Sequence, residues 1–275
     1  MVEASPQEVR FDSAELVRMC AGDDPLSGIG ARRLVNEVLS RGNWALHRHV
    51  HLVRAFETAL VGGGITTALS VGCGAGLSEL FLAIRHPEIA FHLTDFDESR
   101  LDIGRRRVQD LEIGNVTFGS LDLLGEPDGR RYDWVSSIEV LEHIEDDHPA
   151  ARHLQELSSA WWWILVPHCT PADLTNPGRI RRAWEKCGHY RPGYTSETLR
   201  HVLGDDAEID WLRTCYHEPA ATSLRNRIKE AEREVLIADR VTFVAEACLD
   251  LDGPVDAPGG GIEVLGRAGA AGSRG

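Results

Sequence analysis

The chain has 275 residues, of which 43% are hydrophobic and 26% charged, enough to bury the core of one α/β domain carrying extra elements. Its formal net charge of -14 argues against loose, charge-driven association with nucleic acid or anionic membrane, because such binding rests on Lys and Arg neutralising phosphates. The 6 cysteines form no C-x-x-C pair and no framework spacing, and no stretch approaches the ~18 apolar residues of a membrane span, so a reduced, soluble, cytoplasmic protein is expected.

The first residues, with Glu3, Glu8 and Asp12 between apolar positions, do not read as a signal-peptide core. From Ala31 to Leu60 the apolar positions Leu34, Val35, Val38 and Leu39, then Leu46, Val50, Val53, Phe56 and Leu60, recur at helical spacing with Gly42 between the two runs. Residues 1–60 are therefore expected to form an N-terminal helical cap. Its His47, His49 and His51 are read as structural rather than metal-binding. Next come a strand at 66–71, a helix at 77–85, a strand at 91–95, a helix at 98–111 and strands at 115–121 and 133–138. A helix at 148–160 and a strand at 162–167 follow. Such alternation predicts an α/β fold, a mostly parallel doubly wound sheet with helices on both faces. Trp161, Trp162 and Trp163 open a buried strand and are read as core. A helix at 196–203, a strand at 207–215, a helix at 222–236 carrying Arg225, Lys229 and Arg233 on one stripe, and a strand at 240–249 complete a domain over 61–250. The Gly- and Ala-rich residues 251–275 are expected to be a disordered tail. The basic runs Arg105 to Arg107 and Arg179 to Arg182 are read as solvated faces.

The most informative segment is Val71-Gly72-Cys73-Gly74-Ala75-Gly76-Leu77, with an acid, Asp95, at the end of the next predicted strand. Glycines at 72, 74 and 76 let backbone N–H groups approach a ligand at a helix N-terminus, and a carboxylate after the following strand can grip a ribose diol. The spacing is G-x-G-x-G, since position 77 is Leu, and it suits a nucleoside with an amino-acid tail better than a dinucleotide pyrophosphate.

These pieces are followed by Val116-Thr117-Phe118-Gly119-Ser120-Leu121-Asp122 and by Tyr132-Asp133-Trp134-Val135-Ser136-Ser137-Ile138-Glu139-Val140-Leu141-Glu142-His143. Gly188-His189-Tyr190-Arg191 and Tyr194-Thr195 lie further on. In this order they resemble the class I S-adenosylmethionine-dependent methyltransferases over roughly residues 44–250. The resemblance implies a seven-stranded sheet whose last two strands form an antiparallel edge, with S-adenosyl-L-methionine as cofactor. It implies that Ser70, Gly72, Cys73, Gly74 and Gly76 surround the methionine moiety and that Asp95 binds the ribose hydroxyls. Phe96 would pack on the adenine, Asp122 would accept from its amino group, and Ile138 and Glu139 would meet the ligand at the end of the fourth strand. Two departures stand out: Ser70 occupies the place where the family usually has an acid, and the stretch from His189 to Thr195 carries one additional residue.

Methyl transfer from a sulfonium needs alignment and exclusion of water, and a base only where the acceptor must lose a proton. His143 and His168, each just past the end of a predicted strand, are the candidate bases, and His189 with Tyr190 and Tyr194 would wall the acceptor. The expected reaction is methylation of an oxygen or nitrogen on a small-molecule acceptor, with no metal ligand assigned, no membrane or nucleic-acid partner, and a homodimer left open. The set Glu139, Glu142, His143 and His189 also resembles the metal ligands of small-RNA 3'-terminal 2'-O-methyltransferases, which is the alternative. A third reading is a cofactor-binding protein of this fold that catalyses a cyclisation or only binds.

Overall fold

The structure is a computed structural model that describes residues 18–20, 28–41, 43–126, 129–217 and 259–269. Two helices, α1 (Gly28–Ser40) and α2 (Asn43–Val61), precede the sheet. The sheet is built from β1 (Thr67–Val71), β2 (Ala90–Thr94), β3 (Val116–Gly119), β4 (Tyr132–Ile138), β5 (Ser158–Pro167), β6 (Glu208–His217) and β7 (Gly259–Arg267), in the order β3-β2-β1-β4-β5-β7-β6. The first five strands run parallel, and β7 lies antiparallel between β5 and β6. Helices α3 (Leu77–Arg85), α4 (Glu98–Asp110) and α5 (Asp147–Glu156) make the crossovers. Helices α6 (Pro171–Leu174), α7 (Pro177–Cys187) and α8 (Ser196–Leu203) follow β5. Among the described residues no helix is long and apolar enough to cross a membrane.

Strand β5 shows why the sheet is covered on both faces. Trp161, Trp163 and Leu165 pack with α1, α2 and α3, whereas Trp162, Ile164 and Val166 pack with α5 and α8 on the other side. Alternate side chains point to opposite faces of a strand, so a continuous apolar run demands two apolar layers. Each fully buried aliphatic or aromatic side chain there contributes about 1.5–3 kcal/mol.

Two sequence expectations need correction. The helix expected over 148–160 ends at Glu156, because Ser158 already pairs with Tyr132 and the strand claims the residues before the tryptophans. The tail expected to be disordered over 251–275 contains β7, whose Ile262, Val264 and Leu265 are buried. Its glycines are close-approach positions: a Cβ on Gly266 would lie 2.1 Å from Trp162 Cζ2, and one on Gly261 3.0 Å from Cys215 Sγ. The helix at 222–236 and the strand at 240–249 lie outside the described residues.

Candidate functional site

The C-terminal ends of β1 and β4, the start of α3 and the two cap helices enclose a cavity of about 890 Å³. Ligands of open α/β sheets bind at these strand ends. Gly72, Gly74 and Gly76 all have left-handed backbones, with φ of 69°, 59° and 68°. A Cβ at Gly72 would strike Val140 at 2.3 Å, while one at Gly74 would meet only Arg100, at 4.0 Å. Gly72 is thus required by packing, and Gly74 by its backbone angle and the open space before it. Gly76 caps α3, whose first N–H groups open toward the cavity.

Beneath this loop lie two buried carboxylates. Asp95 accepts from Gly74 N–H at 2.7 Å and from Asp97 N–H at 2.9 Å, so it ties the glycine loop to the end of β2. Asp97, not Asp95, caps α4. Ser70 is also buried and donates to Glu79 Oε1 at 3.0 Å, and Glu79 lines the cavity. Burial raises the Glu79 carboxyl to about 7, with Asp95 adding to the rise and the Ser70 hydrogen bond opposing it. Burial beside Glu79 and Asp95 also pushes the Cys73 thiol far up, so it stays protonated.

At the other end, β4 delivers Ile138 and Glu139, and the one-turn helix Leu141–His143 delivers Glu142 and His143. Glu139 holds a left-handed φ of 56°, unusual for a side-chain-bearing residue and a mark of functional sites. Its Oε2 accepts from Arg48 at 2.8 Å and from Trp44 Nε1 at 3.4 Å, both from α2. The His143 and His189 rings meet edge to face, 4.5 Å between centroids. Burial lowers the His143 pKa, and burial with His143 and Arg48 lowers that of His189 to about 4, so both imidazoles are neutral at pH 7. Burial raises Glu139, and burial with the Glu139 charge raises Glu142 well above the carboxylate range.

Arg191 fixes this turn. Its guanidinium donates to the carbonyls of Leu141, Ile144 and Glu145 and pairs with Asp147 at 2.8 Å. Tyr190 N–H donates to the Glu142 carbonyl at 2.9 Å, carrying His189 onto His143.

Of the residues singled out from sequence, Gly72, Cys73, Gly74, Gly76, Ile138, Glu139, His143 and His189 share the cavity wall. Ser70 and Asp95 lie buried beneath it. His168 does not line it; its main chain bridges to Tyr194 and donates to the Gly260 carbonyl. Phe96 stands 89% exposed, outside the wall. Asp122 closes an exposed turn by accepting from Leu124 N–H. Tyr194, expected at the acceptor wall, is 1% exposed and donates to Asp147, which makes it core. Of the cap histidines, His49 bonds Ser78 and the Cys20 carbonyl, His51 bonds Glu263, and His47 meets Cys215. Glu79, Trp44, Arg48 and Arg100 were not foreseen. Only Glu79 had a visible signal, an acid on the apolar face of a predicted helix's first turn.

A doubly wound sheet with a glycine-rich turn after β1 and a cavity at its strand ends defines an open α/β protein with room for a ligand at the strand ends. Residues 69–159 match the family described as a methyltransferase domain. Coclaurine N-methyltransferase bound to N-methylheliamine and S-adenosylhomocysteine is similar in structure, with a TM-score of 0.55, 14% identity, and 79% of this chain and 70% of that one covered. The N-methyltransferase NodS from Bradyrhizobium japonicum WM9, in complex with S-adenosylhomocysteine, gives 0.50 at 18% identity over 93% and 97%. The [4+2]-cyclase SpnF gives 0.54 at 17% identity over 94% and 97%. No curated protein matches the chain by sequence. At these identities the structural likenesses establish the fold. The fold and this domain match are what the chain shares with S-adenosylmethionine-dependent methyltransferases.

Proposed function

We propose that the chain methylates an oxygen or nitrogen of a small-molecule acceptor, using S-adenosylmethionine. The observation that carries this reading is that the glycine loop and the His143/His189 pair share one cavity, of a size for donor and acceptor together. When bound, the donor supplies a methyl group already activated on a sulfonium. The glycine loop would receive its amino-acid end, and Glu79, which lines the cavity and accepts from Ser70, would supply the negative charge that Ser70 lacks. Trp44 and Arg48, reaching from α2 to Glu139, exclude water from the far wall. His143, neutral and facing the cavity, accepts the proton of an acceptor O–H or N–H. His168 has no such role.

The test is to measure S-adenosylhomocysteine release while hydroxylated and aminated small molecules are offered as acceptors. Acceptor-dependent release is expected, falling roughly 10²–10⁴-fold in His143→Ala and by no more than a few fold in His168→Ala. Tight cofactor binding without release for any acceptor would overturn methyl transfer in favour of a binding or cyclising role.

A further inference from the structure

Helix α7 is held at its ends and not by its middle. The Asn176 side chain accepts from the Gly178 and Arg179 N–H groups, Pro177 opens the first turn, and Gly188 closes the last with a left-handed φ of 69°. Between these caps no residue is buried, and all but Ala183 are exposed. Its residues are nevertheless sorted. With 3.6 residues per turn, Ile180, Ala183, Trp184 and Cys187 fall within an arc of about 100°, and Arg179 and Arg181 stand on its two edges. Ile180 is 37% exposed and Trp184 54%. Tyr190, 42% exposed, meets the Trp184 ring edge-on with centroids 5.0 Å apart and widens the apolar face.

Charge is sorted too. Four cations, Arg179, Arg181, Arg182 and Lys186, share the 11 residues of α7 with one acid, Glu185, in a chain whose net charge is -14. Arg179 pairs with Asp173 at 3.1 Å, while Arg181, Arg182 and Lys186 have no ion pair among the described residues. The other basic run differs, because Arg105 is held by Glu98 and Asp102, and Arg107 by Glu37.

We propose that α7 docks the protein on a membrane surface rich in anionic phospholipid. The helix lies in the plane of the headgroups, with Ile180, Trp184 and Tyr190 in the apolar boundary and the flanking cations on lipid phosphates. A lipid surface accepts a helix that has no buried face and needs no matching groove; tryptophan and tyrosine rings favour the headgroup level, and arginines snorkel to it. The net charge of the chain excludes attraction of the whole molecule but not of this patch, because charges more than ~8 Å away are largely screened at physiological ionic strength. Docking also brings the cavity close to the lipid, since Cys187 at the end of α7 and His189 just after it line the cavity wall. The inference stands on α7 alone and goes beyond the assigned reaction.

The experiment is sedimentation of the full chain with vesicles of equimolar phosphatidylcholine and phosphatidylserine, beside vesicles of phosphatidylcholine alone. Wild type is expected to bind the anionic vesicles at least ~10-fold more tightly than the neutral ones and to be released by added salt. Trp184→Ser, and separately Arg181→Glu combined with Arg182→Glu, should each weaken binding to the anionic vesicles roughly 10-fold or more. None of these side chains is buried, so both variants keep the fold, which circular dichroism checks. Wild type that fails to sediment with anionic vesicles, that binds both vesicles equally, or that is matched by its variants would overturn the proposal. So would a wild-type dimer, seen by lipid-free gel filtration, that Trp184→Ser splits into monomers, since the stripe would then belong to a second copy of the chain.

Discussion

Ser70 donates to Glu79 where a carboxylate would otherwise stand, so the charge next to the glycine loop comes from α3 instead of β1. Because burial raises Glu79 to about 7, its charge depends on pH near neutrality. A ligand ammonium selects the ionised form, so S-adenosylhomocysteine should bind more tightly as pH rises from 6 to 7.5, approaching tenfold per unit below 7. Stability takes the opposite sign. The folded-state pKa exceeds the unfolded value of 4.5, so the contribution of this group is fully present below 4.5 and is lost as pH rises through about 7. Calorimetry on Glu79→Gln should show affinity flat with pH; an unchanged slope would remove Glu79 from the cofactor site. Asp95 belongs to the same scale. Its carboxylate holds Gly74 N–H, so Asp95→Ala should weaken cofactor binding by about 1–3 kcal/mol through the loop alone, before any ribose contact is counted. Equal affinity of mutant and wild type would contradict that.

At the scale of elements, Gly266 in β7 is held against Trp162 and the Glu208 carbonyl, with 2.1 Å and 2.5 Å left for a Cβ. Gly266→Ala should cost about 1–3 kcal/mol and lower the melting temperature by several degrees, read by circular dichroism. A melting curve superimposable on wild type would show that β7 does not sit between β5 and β6. The same glycines explain why this strand was missed. In sequence, Gly259, Gly260, Gly261 and Gly266 dilute the apolar residues and resemble a flexible end; in the fold Gly266 is where the strand clears the Trp162 ring and Gly261 where it clears Cys215. Helices α3 and α8 were legible to the residue because each has a sharp start, Gly76 for one and the Thr195/Thr198 capping box for the other. Helix α7 carries Ile180, Ala183, Trp184 and Cys187 at helical spacing, a stripe the sequence reading passed over in favour of its basic run, and none of its residues is buried.

At the scale of the whole molecule, the site is a meeting of two parts whose legibility differed. The glycine loop, Glu139, His143 and His189 sit in local patterns that spacing reveals. Trp44 and Arg48 come from a helix with no motif, and only the docking of the cap on the sheet brings them to Glu139, 2.8 Å from Arg48. His168 misled because a position just past a strand end faces the cavity only if the chain turns toward it, and the chain after β5 runs into a bridge with Tyr194 instead. The central claim is that this cavity takes the cofactor at its glycine end. Calorimetric titration with S-adenosylhomocysteine tests it most directly, comparing wild type with Gly74→Val, whose β-branched side chain would fill the open space before the loop at a φ of 59°. Saturable binding of one equivalent by wild type and none by a folded Gly74→Val is the predicted result. No binding by wild type, or unchanged binding by the variant, would contradict it.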